Sequence, residues 1–436
     1  MKIEQLSLIH YRRFSDFTIV FDRQLTVLVA RNGAGKSSVL DGIATCIGSF
    51  LTRLPNVKGI SFRDSDFQVL PDGLKPPYMR VRCKSFDGIE WDRSETRDKS
   101  KKTVSNIPEA LGQKQLFEYV DSLIDAFNEA KTFLLPIFIY YGTGRGVFDV
   151  PQRTKGFGKE FSRFDSFNGA LESRTNFRRF VEYFYFLEER EHKIQKEARS
   201  FDIELPELKA IRLAVNRFLP EFSSPRGVYP AGLMVDWEQN GIKKQLRIEQ
   251  LSDGYRTTLA MVMDIAARMA EANPEMQDPL ETEGVVLIDE IDLHLHPGWQ
   301  QHILSDLTRT FPNVQFIVST HSPQVVSSVK PQCLRVIEWQ DDQPSLRPVD
   351  FSEGAESQQM LLEVLGVESA RPEHTAPVKK LRQYQHLVQE NKWDTPEALA
   401  LRDALDRWGA EHEAELVRLD IDIRLKELDR LDEKNS

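Results

Sequence analysis

The sequence predicts an α/β fold, a mixed sheet built around a glycine-rich loop, with a helical insertion and a helical C-terminal segment. Three observations carry this expectation. Short β-branched runs at 25–29, 285–288 and 315–318 are nearly continuous in their apolarity, as strands buried on both faces require. A Gly-containing turn at 32–35 joins the first run to Val39, Leu40, Ile43, Ala44, Ile47 and Leu51, which recur at helical spacing. Between about 150 and 225 this strand-and-helix grammar gives way to Phe177, Phe180, Val181, Phe184 and Leu187, one face of a helix.

In chain order, Ile3, Leu6 and Leu8 and then 18–21 suggest two short strands ahead of 25–29. The stretch 92–103 (DRSETRDKSKKT) is charged and lacks apolar periodicity, so it reads as a solvated loop. Leu134 to Tyr141 reads as a buried strand that runs into the Gly-rich GTGRG at 142–146. Strand grammar resumes near Gly232, and 271–284 is a Pro- and acid-rich loop. Beyond about 375 the chain is charged and helical. The expected organisation is a first core part at 1–150, an insertion at 151–230, a second core part at 231–345 and a helical region at 346–436.

Composition narrows the function. The 436 residues carry 57 Lys+Arg against 67 Asp+Glu, a net charge of −10, which excludes a uniformly basic nucleic-acid coat. No run approaches the roughly 18 apolar residues of a membrane helix, and MKIEQLSLIHYRRF lacks the apolar core of a signal peptide, so the expected setting is cytoplasmic, with no membrane partner. Cys46, Cys83 and Cys333 are scattered without a CxxC pair, which argues against a disulfide framework or a thiolate metal site.

The strongest chemical signal is Ala30 to Ser38, ARNGAGKSS, set between a strand and a helix. Small residues let backbone N–H groups converge on phosphate oxygens, a helix N-terminus faces the charge, a Lys reaches the outer phosphates and a hydroxyl serves a metal ion. Asn32, Gly33, Ala34, Gly35, Lys36, Ser37 and Ser38 supply this cradle; Ala30 stands where the P-loop pattern has its first Gly. A second constellation is the run 284–288 ending in Asp289 and Glu290, which places one acid to hold a metal and another to polarise water. A third, Ser319-Thr320-His321, follows the run 315–318 and is expected on the strand beside that of Asp289. A fourth, LSDGYR at 251–256, opens a helical stretch, with Ser252 as its N-cap.

In this order the four motifs resemble the ATP-binding-cassette ATPases of the RecF/SMC-like branch. The resemblance is good over roughly 1–50 and 230–340 and looser over the insertion. It implies an ABC-ATPase-type sheet, ATP and Mg²⁺ as cofactors, and two nucleotides sandwiched in a head-to-tail homodimer or higher oligomer. By position it makes Lys36 and Ser37 phosphate and Mg²⁺ ligands, Asp289 the metal carboxylate, Glu290 the hydrolytic base, His321 the switch histidine, and Ser252 and Gly254 contacts to the other subunit's ATP. Arg12, in HYRRF, falls where the family has an Arg near the nucleotide. Asp253 and Tyr255 depart from the family's usual Gly and Gln, and Gln68 is a candidate for its metal-contacting Gln. Asp292, His294 and His296 match the loop that meets the opposite subunit; the two histidines otherwise suggest a metal pair.

The phrases LPIFIYYGTGRG, LIDEIDLHLHPGWQ and KLRQYQHLVQENKWDTPEALALRDAL resemble bacterial antiphage-defence ATPases of the Septu (PtuA) type, including those encoded with retrons. That resemblance implies a separate HNH nuclease (PtuB-like) as effector and, in retrons, a reverse transcriptase with its DNA–RNA product. The competing reading is a RecF-like repair ATPase that clamps DNA itself. A basic patch at Arg145, Arg153, Lys155, Lys159 and Arg163 is either a nucleic-acid surface or a solvated loop, and the helical tail is either a solvated cap or a docking platform.

Overall fold

Strands without polar alternation need cover on both faces, and the core of this protein is arranged to give it. The computed structural model describes residues 1–105, 107–146, 161–173, 177–228 and 232–435. Its first strands are β1 (Ile3–Tyr11), β2 (Phe14–Val20), β3 (Leu25–Val29), β4 (Tyr78–Ser85), β5 (Glu90–Thr96) and β6 (Ile137–Tyr141). The remainder are β7 (Phe222–Val228), β8 (Gly232–Gln239), β9 (Ile242–Arg247), β10 (Gly284–Ile288), β11 (Val314–Thr320), β12 (Leu334–Gln340) and β13 (Gln343–Arg347). They form a six-stranded sheet of order β13-β12-β3-β11-β10-β6, a four-stranded antiparallel sheet β2-β1-β4-β5 and a three-stranded ribbon β7-β8-β9. In the six-stranded sheet all neighbours are parallel except β12 and β13. This is the expected mixed sheet.

The helix after the glycine-rich loop, α1 (Lys36–Arg53), touches both β1 and β4 of the antiparallel sheet and β10 and β11 of the central one. That double cover explains why nearly every residue from Val39 to Leu51 is buried, small Gly42, Ala44 and Ser49 included. Each large aliphatic side chain so buried contributes about 1.5–3 kcal/mol relative to exposure.

Helices α2 (Arg178–Ala198), α3 (Pro206–Phe218) and α4 (Asp253–Ala272) pack on one another, and their apolar faces join the same core as the sheets. The expected insertion is therefore part of one compact unit, Met1–Leu365, which extends past the expected boundary at 345. The solvated loop expected at 92–103 is corrected as well: β5 pairs with β4 from Tyr78↔Thr96 to Lys84↔Glu90, and Lys101–Ser105 is a short helix. The charges of β5 are those of an edge strand, anchored by fully buried Trp91 and by Asp92, whose carboxylate accepts from Leu111 N and Gly112 N.

From Gly366 onward the chain forms a second unit of three helices, α5 (Ala376–Gln389), α6 (Pro396–Asp406) and α7 (Ala414–Asn435). Leu381, Tyr384, Val388, Trp393, Leu405 and Leu416 make its own small core. Away from that core, α7 exposes Val417, Ile421, Leu425 and Leu428 at helical spacing.

One polar side chain ties the two large sheets together. Gln315 lies fully buried on β11; its Oε1 accepts from Ile3 N at 2.7 Å, and its Nε2 donates to Ile3 O at 2.7 Å and Asp22 O at 2.8 Å. Gln315→Leu would leave these backbone groups unpaired in a dry core, and its unfolding free energy in denaturant titration is expected to fall by at least about 2 kcal/mol.

Candidate functional site

The glycine-rich loop takes the backbone path its sequence allows. Gly33 and Gly35 have φ of 75° and 105°, the left-handed region that other residues avoid. A Cβ on Gly35 would also stand 2.5 Å from the Phe14 ring. Ala30, where a Gly is usual, is outside that region and its carbonyl accepts from Lys36 Nζ at 3.0 Å, so an Ala serves there. Asn32 and Gly33 are exposed, Ala34 is buried, and Ser37 and Ser38 open the first turn of α1, which carries no acidic residue. Its free N–H groups therefore face an anion unopposed. Burial lowers the pKa of Lys36, against the raising pull of Asp289, Glu290 and Asp292.

The acid pair is held by four hydrogen bonds from three residues. Strand β10 is fully buried and delivers Asp289 to its C-terminal end between β6 and β11. One Asp289 carboxylate oxygen accepts from Ser37 Oγ at 2.7 Å and the other from Ser319 Oγ at 2.5 Å. The Asp289 N–H donates to Tyr141 O at 2.8 Å, and the Glu290 N–H donates to Ser319 Oγ at 2.8 Å. Glu290 itself has φ of 49°, a strained value for a non-glycine residue. Ser37 and Asp289 present hard oxygens on one spot, and among the described residues no group of three or more His, Cys, Asp or Glu could hold a metal alone. That donor set fits Mg²⁺, which takes one or two protein oxygens and completes its shell with phosphates and water.

His321 follows β11, which pairs in parallel with both β10 and β3, so its strand lies beside that of Asp289. Burial, then Lys36, lowers its pKa, while Asp292, Glu290 and Asp289 pull it up; the imidazole is neutral at neutral pH. Thr320 Oγ1 donates to Asp292 Oδ1 at 2.6 Å, which fixes the turn after the acid pair.

Ser252 is the N-cap of α4 by backbone geometry, but its hydroxyl makes no capping bond and is exposed. Gly254 is needed inside its own chain: a Cβ there would lie 2.6 Å from His294 O. Tyr255 owes its presence to packing, with its ring edge-on to Trp299 at 4.1 Å and tilted on Phe222 at 5.1 Å. Asp253 pairs with Arg256 on the surface. The two histidines do not converge: His294 offers its carbonyl to the Gly254 approach, and His296 Nδ1 accepts from Gly298 N at 3.2 Å as a helix cap.

Other expected residues sit elsewhere. Arg12 pairs with Asp41 and Asp66, behind the first turns of α1, whereas its neighbour Arg13 reaches the loop, donating to Gly33 O at 3.4 Å. Gln68 braces the β1–β2 hairpin through Ser15 Oγ at 2.8 Å and His10 Nδ1 at 3.1 Å. Of the basic patch, Arg145 is buried at the acid pair and Arg163 is used internally, its Nε donating to Ala272 O at 2.6 Å; Arg153, Lys155 and Lys159 lie outside the described residues. Sequence reasoning missed Trp339, whose indole N–H donates to Ala34 O at 2.9 Å with the Arg13 guanidinium 3.9 Å over its ring. No local pattern around Trp339 announces this, because β12 joins the site only through its pairing with β3.

The geometry has counterparts. An "AAA domain" family model matches residues 5–222, and a second AAA-domain model, described for a type IV toxin–antitoxin system, matches 149–327. The retron Ec83 probable ATPase of Escherichia coli is 29% identical over 97% of this chain and 86% of its own. The retron Vc95 probable ATPase of Vibrio cholerae is 27% identical over 77% of this chain and 73% of its own. The Septu protein PtuA of Bacillus mycoides is 47% identical over 18% of this chain and 10% of its own.

Ser319 carries two of the bonds that orient the acids. Ser319→Ala removes a charge-assisted bond of about 1.5–3 kcal/mol. The variant is expected to need a higher Mg²⁺ concentration for half-maximal nucleotide binding, measured by titration at fixed nucleotide.

Proposed function

Starting from the chain's membership of the AAA-domain ATPases, we propose that it is the ATPase of a bacterial antiphage-defence complex of the retron or Septu type, controlling a separate HNH nuclease of the PtuB kind. The ATPase activity follows from the family and from relatives named as ATPases along most of this chain. The observation that carries the mechanism is the hydrogen-bonded set Ser37–Asp289–Ser319 beside Glu290 and Lys36. In this reading the loop N–H groups and Lys36 bind the phosphates of ATP, and Ser37 and Asp289 would hold Mg²⁺, which would supply charge neutralisation to the phosphates. Glu290 accepts a proton from the attacking water, and neutral His321 stands by as a hydrogen-bond partner for the γ-phosphate.

Assembly as a homodimer or higher oligomer belongs to the same reading; it is supported by the exposed Ser252 hydroxyl, which has no capping role in its own helix and is open to the nucleotide of a second copy. The defence setting is supported by the relatives named for retrons and Septu. The nuclease partner, and in a retron the reverse transcriptase with its DNA–RNA product, belong to the same reading. The second unit is the place assigned to the nuclease, and the apolar stripe of α7 supports that choice. The RecF-like alternative is disfavoured by the net charge of −10 and by the internal use of Arg145 and Arg163, the described members of the basic patch.

Glu290→Gln is expected to bind ATP as the parent does and to lose turnover, trapping the closed assembly; normal hydrolysis would remove Glu290 from the base role. In the same assay Ser252→Ala should hydrolyse more slowly with unchanged ATP affinity in the monomer, because it acts across the interface. A salt-titrated DNA-binding measurement separates the two settings: the defence reading expects weak binding by the isolated chain, and tight binding with a steep salt slope favours the clamp.

A further inference from the structure

A strand that ends at a reactive acid leaves its last carbonyls without a ladder partner, and a buried carbonyl must find a donor. Strand β6 stops at Tyr141, which serves the Asp289 N–H; beyond it, among the described residues, no strand serves Asp289 O and Glu290 O from that side. The chain instead makes a short turn, Thr143–Gly146, and sends Arg145 back. Its Nη1 donates to Asp289 O at 2.5 Å and to Gly142 O at 3.1 Å, and its Nη2 donates to Glu290 O at 2.5 Å. Arg145 is 3% exposed, and burial lowers its pKa to about 10, still charged at neutral pH.

We infer that Arg145 is the positioning residue of the acid pair: its two-pronged donation to consecutive carbonyls sets the peptide planes on either side of Glu290 and so aims the Glu290 carboxylate. The inference rests on the reading of Glu290 as the hydrolytic base. The left-handed φ of Glu290 is the conformation being held. On the opposite side Ser319 takes the Glu290 N–H and its carbonyl takes the Ile291 N–H, while Leu293 N shares Glu290 O. The two peptide units 289–290 and 290–291 are thus fixed from both sides, by Ser319 on the N–H side and on the carbonyl side by the rigid fork of Arg145 together with Leu293 N. A lysine has the charge but cannot span both carbonyls in one plane.

The test compares Arg145→Lys and Arg145→Ala in the full chain with the parent and Glu290→Gln, measuring melting temperature, ATP affinity, KM and kcat. Both Arg145 variants are expected to bind ATP within about twofold of the parent and to lose kcat by about tenfold or more, as a misaimed base does. Millimolar guanidinium should restore part of the kcat of Arg145→Ala and none of that of Glu290→Gln. If Arg145→Ala does not fold, Arg145→Lys, which keeps the buried charge, carries the same expectation for kcat and affinity. Parent-like kcat in a folded variant overturns the inference, as does a loss of ATP affinity equal to the loss of kcat. Equal turnover by the parent and Glu290→Gln overturns the base assignment, and this inference with it.

Discussion

Four segments distant in the sequence converge on one buried residue. Asp289 is bound through its side chain to the loop helix by Ser37 and to β11 by Ser319, and through its backbone to β6 at Tyr141 and to the following turn at Arg145. An acid this buried is tolerable only with its oxygens satisfied, and the partners that satisfy it come from segments far apart in the sequence. The same bonds that make the buried carboxylate tolerable also aim it, so the orientation of Asp289 is a by-product of closing the core.

Helix α4 is joined to this hub by a second buried network. Tyr141 OH donates to Asp264 at 2.7 Å, Arg268 Nε donates to the same carboxylate at 2.9 Å, and Arg268 also reaches Ser166 O. One turn on, Arg179 of α2 pairs with Glu271, whose pKa burial raises to about 7. Breaking such a pair by removing one partner strands a charge in the core, so the helices of the insertion and the Asp289 strand are mechanically one piece.

The legible parts of the sequence were those where local pattern and global environment agree. The strand at 25–29 and the helix after it are found as read, because a strand covered on both faces and a glycine turn leave unmistakable local traces. The pairing of the histidine strand with the Asp289 strand followed from spacing alone. What failed was decided by long-range contact. The edge strand β5 looked like a loop because only Trp91 of its residues is both apolar and buried. Arg145 looked like surface charge because its partners are backbone carbonyls, which carry no sequence signature. By position Arg12 falls near the nucleotide and Gln68 is a candidate for the metal-contacting Gln, whereas Asp41, Asp66 and Ser15 hold them against the fold.

The Gln315 bridge has a consequence for how the molecule is made. Ile3 and β3 are among the first segments to leave the ribosome, yet their partners, Gln315 and β11 with β12, are among the last of this unit. Until these arrive, both edges of β3 are unpaired, whereas β1 already has β2 and β4; an unpaired apolar strand is the state most prone to wrong association. Closure of the central sheet is therefore a late event with high contact order.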